Sequence, residues 1–193
     1  LIDVSGSMQD RTETSLRLAH TLTRAAERIE VFTLGTRLTR ITPAMRLTNP
    51  TRALERASAL IADIDGGTRI GEALETFLSV PRYAGFARGA AVIVLSDGLE
   101  RGTPDAMIAA TTRLARLAWR LDWLSPLAPD GIPQTEALRA IAPLLDSIGD
   151  GSATQAISAH LLDMADPARR SLPSTGTPIP ATNAGITIGE HPV

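Results

Sequence analysis

Three separated stretches of this 193-residue chain carry oxygen donors suited to a single hard cation. Near the start, Asp3-Val4-Ser5-Gly6-Ser7 alternates one carboxylate with two hydroxyls where an apolar strand gives way to a loop. One anionic and two neutral oxygens converging from one loop suit a divalent ion, and Gly6 lets the backbone turn tightly around it. A second donor, Thr68, stands in Gly66-Gly67-Thr68-Arg69-Ile70-Gly71, just ahead of an expected helix. A third loop supplies Asp97 behind the apolar run Ala90 to Leu95. Taken alone, Asp-x-Ser-x-Ser is commonly a helix cap or turn, and Ser-Asp-Gly is a common turn. Together, each behind the element that would aim it, the three loops point to a metal site.

Arg69, Glu100 and Arg101 lie beside these loops in sequence. They are either a rim that recognises a partner or ordinary solvated charges. His20, His160 and His191 show no metal-ligand spacing; the first two read as helix-face residues and the third falls in the tail.

Composition removes several chemistries. The chain has no cysteine, which excludes thiolate zinc sites, iron–sulfur clusters, cysteine nucleophiles and a disulfide-stapled scaffold. All 19 basic residues are arginine. Without lysine there is no P-loop, no Schiff-base nucleophile and no Ser-Lys catalysis. A GC-rich genome accounts for the arginine bias, so it carries no functional weight. The net charge of −2 and 3% aromatic content oppose the cationic, stacking surfaces of nucleic-acid binders.

The elements that must position the donors follow an α/β pattern, in which short apolar runs alternate with stretches of helical period. Leu18, Leu22, Ala25 and Ile29 mark a first helix. Val31 to Leu34 and Leu38 to Ile41 flank Gly35-Thr36 as a β-hairpin. Leu54, Ala57, Ile61 and Ile64 mark a second helix, and Ile70, Leu74 and Phe77 a third. Ala90 to Leu95 reads as a strand buried on both faces. Met107, Ala110, Leu114 and Leu117 form the next helix, started by Thr103-Pro104, and Leu121 to Leu124 the following strand. Trp119 and Trp123 are expected to pack in the core or at a sheet edge. Two further helices are expected near Gln134 to Leu145, interrupted by Pro143, and Ser152 to Met164, with Gly149-Asp150-Gly151 as the turn between them. The fold expected is a doubly wound, mostly parallel sheet with helices on both faces, and the loops would meet in a crevice where the strand order reverses.

The ordered domain is expected over 1–166. From about Pro167 the chain turns to proline, threonine, serine and glycine, which reads as a disordered tail over 167–193. Leu172-Pro173-Ser174-Thr175-Gly176 matches the sortase pattern, but the residues after it form neither an apolar span nor a basic end. The chain opens Leu1-Ile2-Asp3 without an initiator methionine, signal peptide or membrane span, so it reads as an excised fragment.

With these residues in place, the sequence resembles the von Willebrand factor A (VWA) family. That family's metal-ion-dependent adhesion site (MIDAS) is built as DxSxS, a distant Thr and a distant Asp, and all five positions match. Within the family it is most similar to CoxE-like proteins, through Val31 to Arg40, Gly66 to Leu74 and Leu95 to Gly102. The resemblance implies that the first strand lacks apolar residues that should precede Leu1, that Ser5, Ser7 and Thr68 bind Mg²⁺ (or Mn²⁺) directly, and that Asp3 and Asp97 bind mainly through water or switch between modes. It also implies a cytoplasmic, non-catalytic module working with a MoxR-type AAA+ ATPase to mature a molybdenum hydroxylase such as carbon monoxide dehydrogenase. A surface or adhesion protein of the same fold is the alternative. A phosphatase of the haloacid-dehalogenase type fits less well, because Ser5 stands where that family has a second Asp and its motif lysine is absent.

Overall fold

Strand β1, Ile2–Asp3, lies between two parallel neighbours, β2 (Phe32–Leu34) and β4 (Ala91–Leu95), and this position decides the architecture. The computed structural model describes residues 1–61 and 69–165. Among the described residues six strands run in the order β3-β2-β1-β4-β5-β6, where β3 is Thr39–Arg40, β5 Arg120–Ser125 and β6 Ser147–Asp150. Only β3 is antiparallel, closing the expected hairpin with Phe32 opposite Arg40. The strand order reverses between β1 and β4, so the loops after their carboxyl ends open into a crevice. The expected doubly wound sheet is therefore present, and its first strand is short.

Helices cover both faces, as a parallel sheet requires. Along β4 and β5, Val92, Val94, Leu121 and Trp123 point to one side, and Leu95 and Leu124 to the other, following the period of two. The first side packs against α4 (Ile70–Ser79), α5 (Pro81–Ala87), α6 (Asp105–Leu117) and α7 (Glu136–Ile141). The second packs against α1 (Gln9–Ala25), α2 (Thr42–Met45), α3 (Pro50–Leu60) and α8 (Thr154–Ala165). Leu34, Ile41, Leu74, Trp123 and Leu138 are all wholly buried. Each such aliphatic side chain contributes about 1.5–3 kcal/mol relative to exposure.

Several local expectations change. Ile29 lies beyond the end of α1. The turn expected at Gly149 is instead the edge strand β6, which has a single large apolar residue, Ile148, and hence no alternation to read. Gly149 is there for space: a Cβ would come within 2.9 Å of Leu124 Cδ2 and 3.1 Å of His160 Nδ1. Helices α2 and α5 are short and proline-led, too brief to show a helical period. The helix expected to 145 stops at Ile141 and continues as a 3₁₀ turn, Ala142–Leu144, around Pro143. Trp123 fills the core, whereas Trp119 is 56% exposed just ahead of β5. Among the described residues no helix is long and apolar enough to cross a membrane. The tail of 167–193, with its sortase-like match and His191, lies outside the described residues, as do Ile64 and Thr68.

Candidate metal site

Asp3 ends β1 with only 1% of its surface exposed, and both carboxylate oxygens are held. The backbone N–H of Ser5 donates to Oδ1 at 2.8 Å, the tight turn expected of an Asp two residues ahead. The hydroxyl of Ser96 donates to Oδ2 at 2.6 Å from the loop after β4. Ser5 then turns the chain into a 3₁₀ turn, Gly6–Met8, closed by Met8 N–H donating to the Ser5 carbonyl at 2.9 Å. This turn brings the Ser5 and Ser7 hydroxyl oxygens to 3.2 Å of each other. Ser7 is exposed, and Ser5 sits just below it.

The Asp97 loop is built with similar economy. Register places Ile2 opposite Leu95, so the residues after each strand arrive at the same level of the crevice. Asp97 is 3% exposed, and its Oδ1 accepts the Leu99 N–H at 2.9 Å. The Ser96 hydroxyl, donating to Asp3, also accepts the Gly98 N–H at 3.0 Å, and its carbonyl accepts Trp123 Nε1–H at 3.0 Å. Gly98 has φ +72°, and a Cβ there would also crowd Thr135 Oγ1 at 3.0 Å, which is why the turn needs glycine.

Electrostatics favour a cation at this end of the sheet. Burial pushes the Asp3 carboxyl above its ordinary value, and the charge of Asp97 adds to the rise, while the bonds from Ser96 and Ser5 pull it down. Among the described residues no arginine or histidine forms an ion pair with either carboxylate. Two buried carboxylates with two neighbouring hydroxyls are the donor chemistry of a hard divalent ion, and Asp3, Ser5, Ser7 and Asp97 fit one.

The structure thus brings together four of the five expected donors, and the fifth, Thr68, lies outside the described residues. Of the expected rim, Arg69 pairs with Glu72 at 2.6 Å, both side chains 59% exposed, and Arg101 is exposed. Glu100 has a different place. Its Oε2 accepts the Gly71 N–H at 2.8 Å, with further bonds from the Ile70 and Arg101 N–H groups, so it caps α4 from another loop. Burial raises its carboxyl despite these bonds.

Sequence reasoning missed Ser96, which read only as the start of a Ser-Asp-Gly turn. Its role depends on the β1–β4 pairing, which no local pattern announces. The two described histidines, His20 and His160, have partners other than the donors. His20 Nε2 meets the Leu47 carbonyl at 2.8 Å, and His160 Nε2 meets the wholly buried Asp122 Oδ2 at 2.7 Å.

Residues 1–157 match the family described as VWA domain containing CoxE-like protein. No curated protein matches the chain. Among solved structures, the crystal structure of an aerotolerance-related membrane protein from Bacteroides fragilis, carrying multiple mutations to serine, aligns over 84% of this chain and 94% of its own. The TM-score is 0.52 at 18% identity, a likeness of fold.

Proposed function

Because the chain belongs to the family of VWA domain containing CoxE-like proteins, we propose that it is a metal-dependent protein-binding module with a MIDAS. Asp3, Ser5, Ser7, Thr68 and Asp97 would hold Mg²⁺ or Mn²⁺. The observation that carries the reading is the meeting of the Asp3 and Asp97 loops, with two buried carboxylates and a pair of hydroxyl oxygens 3.2 Å apart. When bound, the ion would supply positive charge and exchangeable positions that a partner's Asp or Glu can take.

The chain's own part is to hold these donors in place. Ser96 and the Ser5 N–H fix the Asp3 oxygens, and the Leu99 N–H fixes Asp97. Asp3 is thereby committed to two donors at almost no exposure, which suits anchoring rather than nucleophilic attack and supports a non-catalytic role. In the wider reading the module acts in the cytoplasm with a MoxR-type AAA+ ATPase, in the maturation of a molybdenum hydroxylase such as carbon monoxide dehydrogenase.

Isothermal titration with MgCl₂ and MnCl₂ tests the site. One binding event is expected, lost in Asp3→Ala and Asp97→Ala and weakened in Thr68→Ala. Binding unchanged in Asp3→Ala would remove the assignment. For the wider reading, a deletion strain should contain a hydroxylase of low activity and low metal content. A fully active enzyme there would count against maturation while leaving the metal site intact.

A further inference from the structure

The hairpin segment Gly35 to Leu38 has no part in the metal site, yet it forms one wall of a cavity of about 270 Å³. The opposite wall is the start of α4, with Arg69, Glu72 and Thr76. This recess adjoins the metal site: Leu34, just before it, pairs with Asp3, and a Cβ on Gly35 would come within 3.2 Å of Val4 Cγ2.

Its charge differs from that of the molecule. The whole chain carries a net charge of −2, but the described lining holds two guanidiniums against one carboxylate. Arg69 and Glu72 largely cancel through their 2.6 Å pair. Arg37 is exposed and donates a long 3.5 Å bond to the Leu60 carbonyl; among the described residues no carboxylate pairs with it. A guanidinium at the edge of a polar recess presents a fork of donors matched to a carboxylate.

We propose that this recess is a second anchoring point for the partner, in which Arg37 binds an acidic side chain on the same segment whose carboxylate reaches the metal site. The proposal rests on the metal-docking reading for what the partner does at the ion, and on Arg37 for what it does in the recess. It predicts a partner segment with at least two acidic residues, one for each anchor.

Fluorescein-labelled hexaglutamate, with hexaglutamine as control, serves as the probe against the whole chain in low salt, followed by anisotropy with Mg²⁺ and again with EDTA. Arg37→Glu should weaken hexaglutamate about tenfold, the loss expected when one charge-assisted carboxylate contact is reversed. Glu72→Gln should tighten binding about threefold, because it releases Arg69 to act beside Arg37, a gain that structural damage would not produce. Both shifts should persist in EDTA. Hexaglutamine binding as well as hexaglutamate, or both variants binding like the parent chain, overturns the recess. If EDTA weakens binding while the variants do nothing, the recess fails and metal docking stands. If the variants shift binding as expected while EDTA has no effect, metal docking fails and the carboxylate recess is supported.

Discussion

Ser96 Oγ donates to Asp3 Oδ2 at 2.6 Å, joining residues 93 apart in the chain at the point where the sheet order reverses. The same hydroxyl accepts the Gly98 N–H, so one atom fixes both the first carboxylate and the turn behind Asp97. Ser96→Ala leaves a buried carboxylate oxygen and a buried N–H without this partner. The expected cost is about 1–3 kcal/mol, read from urea denaturation. Metal affinity should fall as well, because Asp3 loses the bond that orients it. An unchanged urea midpoint would show that Asp3 is held by other means.

Glu100 acts on stability through α4. Glu100→Ala removes the acceptor for the Gly71 N–H and should cost about 1 kcal/mol, comparable to losing a helix cap. Glu100→Gln keeps an acceptor and should recover most of that. If Glu100→Ala melts at the parent temperature, the residue is an ordinary surface acid.

Two glycines in helices should respond to alanine in opposite directions. At Gly71 the new Cβ would lie 2.5 Å from the Met107 backbone nitrogen and 2.8 Å from the Ala106 carbonyl carbon, where α4 crosses α6. Overpacking of this kind costs about 1–3 kcal/mol and exceeds the roughly 1 kcal/mol gained in helix propensity. Gly85, in α5, has nothing within 4 Å of its would-be Cβ. Gly85→Ala should therefore stabilise by about 0.4–1 kcal/mol. Thermal melts of the two variants should move to either side of the parent.

Acid should loosen the hairpin edge through Glu30. Burial pushes its carboxyl up, but the bonds from Arg40 and Thr42, with the charges of Arg40 and Arg46, outweigh it and leave the group below its ordinary value. The carboxylate accepts Arg40 at 2.7 and 2.9 Å and the Thr42 hydroxyl at 2.7 Å, tying β3 to α2. A carboxyl lowered on folding stabilises above its unfolded pKa, and that stability is lost as pH falls through the folded value. Denaturation midpoints of the parent and Glu30→Gln should therefore differ at pH 7, begin to converge below about pH 4.3, the ordinary value of a glutamate, and meet only below the lower folded value. A constant difference across that range would exclude the linkage.

Much of the fold was legible in the chain because it rests on local periodicity. The apolar run of β4, the helical spacing of α1, α4 and α6, and the glycine turn between β2 and β3 each follow from a few neighbouring residues. The placement of Asp3, Ser5, Ser7 and Asp97 at one end of the sheet was legible too, since Asp3 ends β1 and the others come just after a strand. Tertiary structure decided what depends on pairing between distant segments. Ile2 opposite Leu95 sets Ser96 against Asp3, and the crossing of α4 with α6 makes Gly71 obligatory. Glu100, which could have been a free acid on the rim, becomes the cap of α4. β6 forms only because β5 offers it an edge: with one large apolar residue in four, it has too little pattern of its own to be seen. Local periodicity is written in single segments, whereas register, close approach and capping between loops are properties of two segments at once.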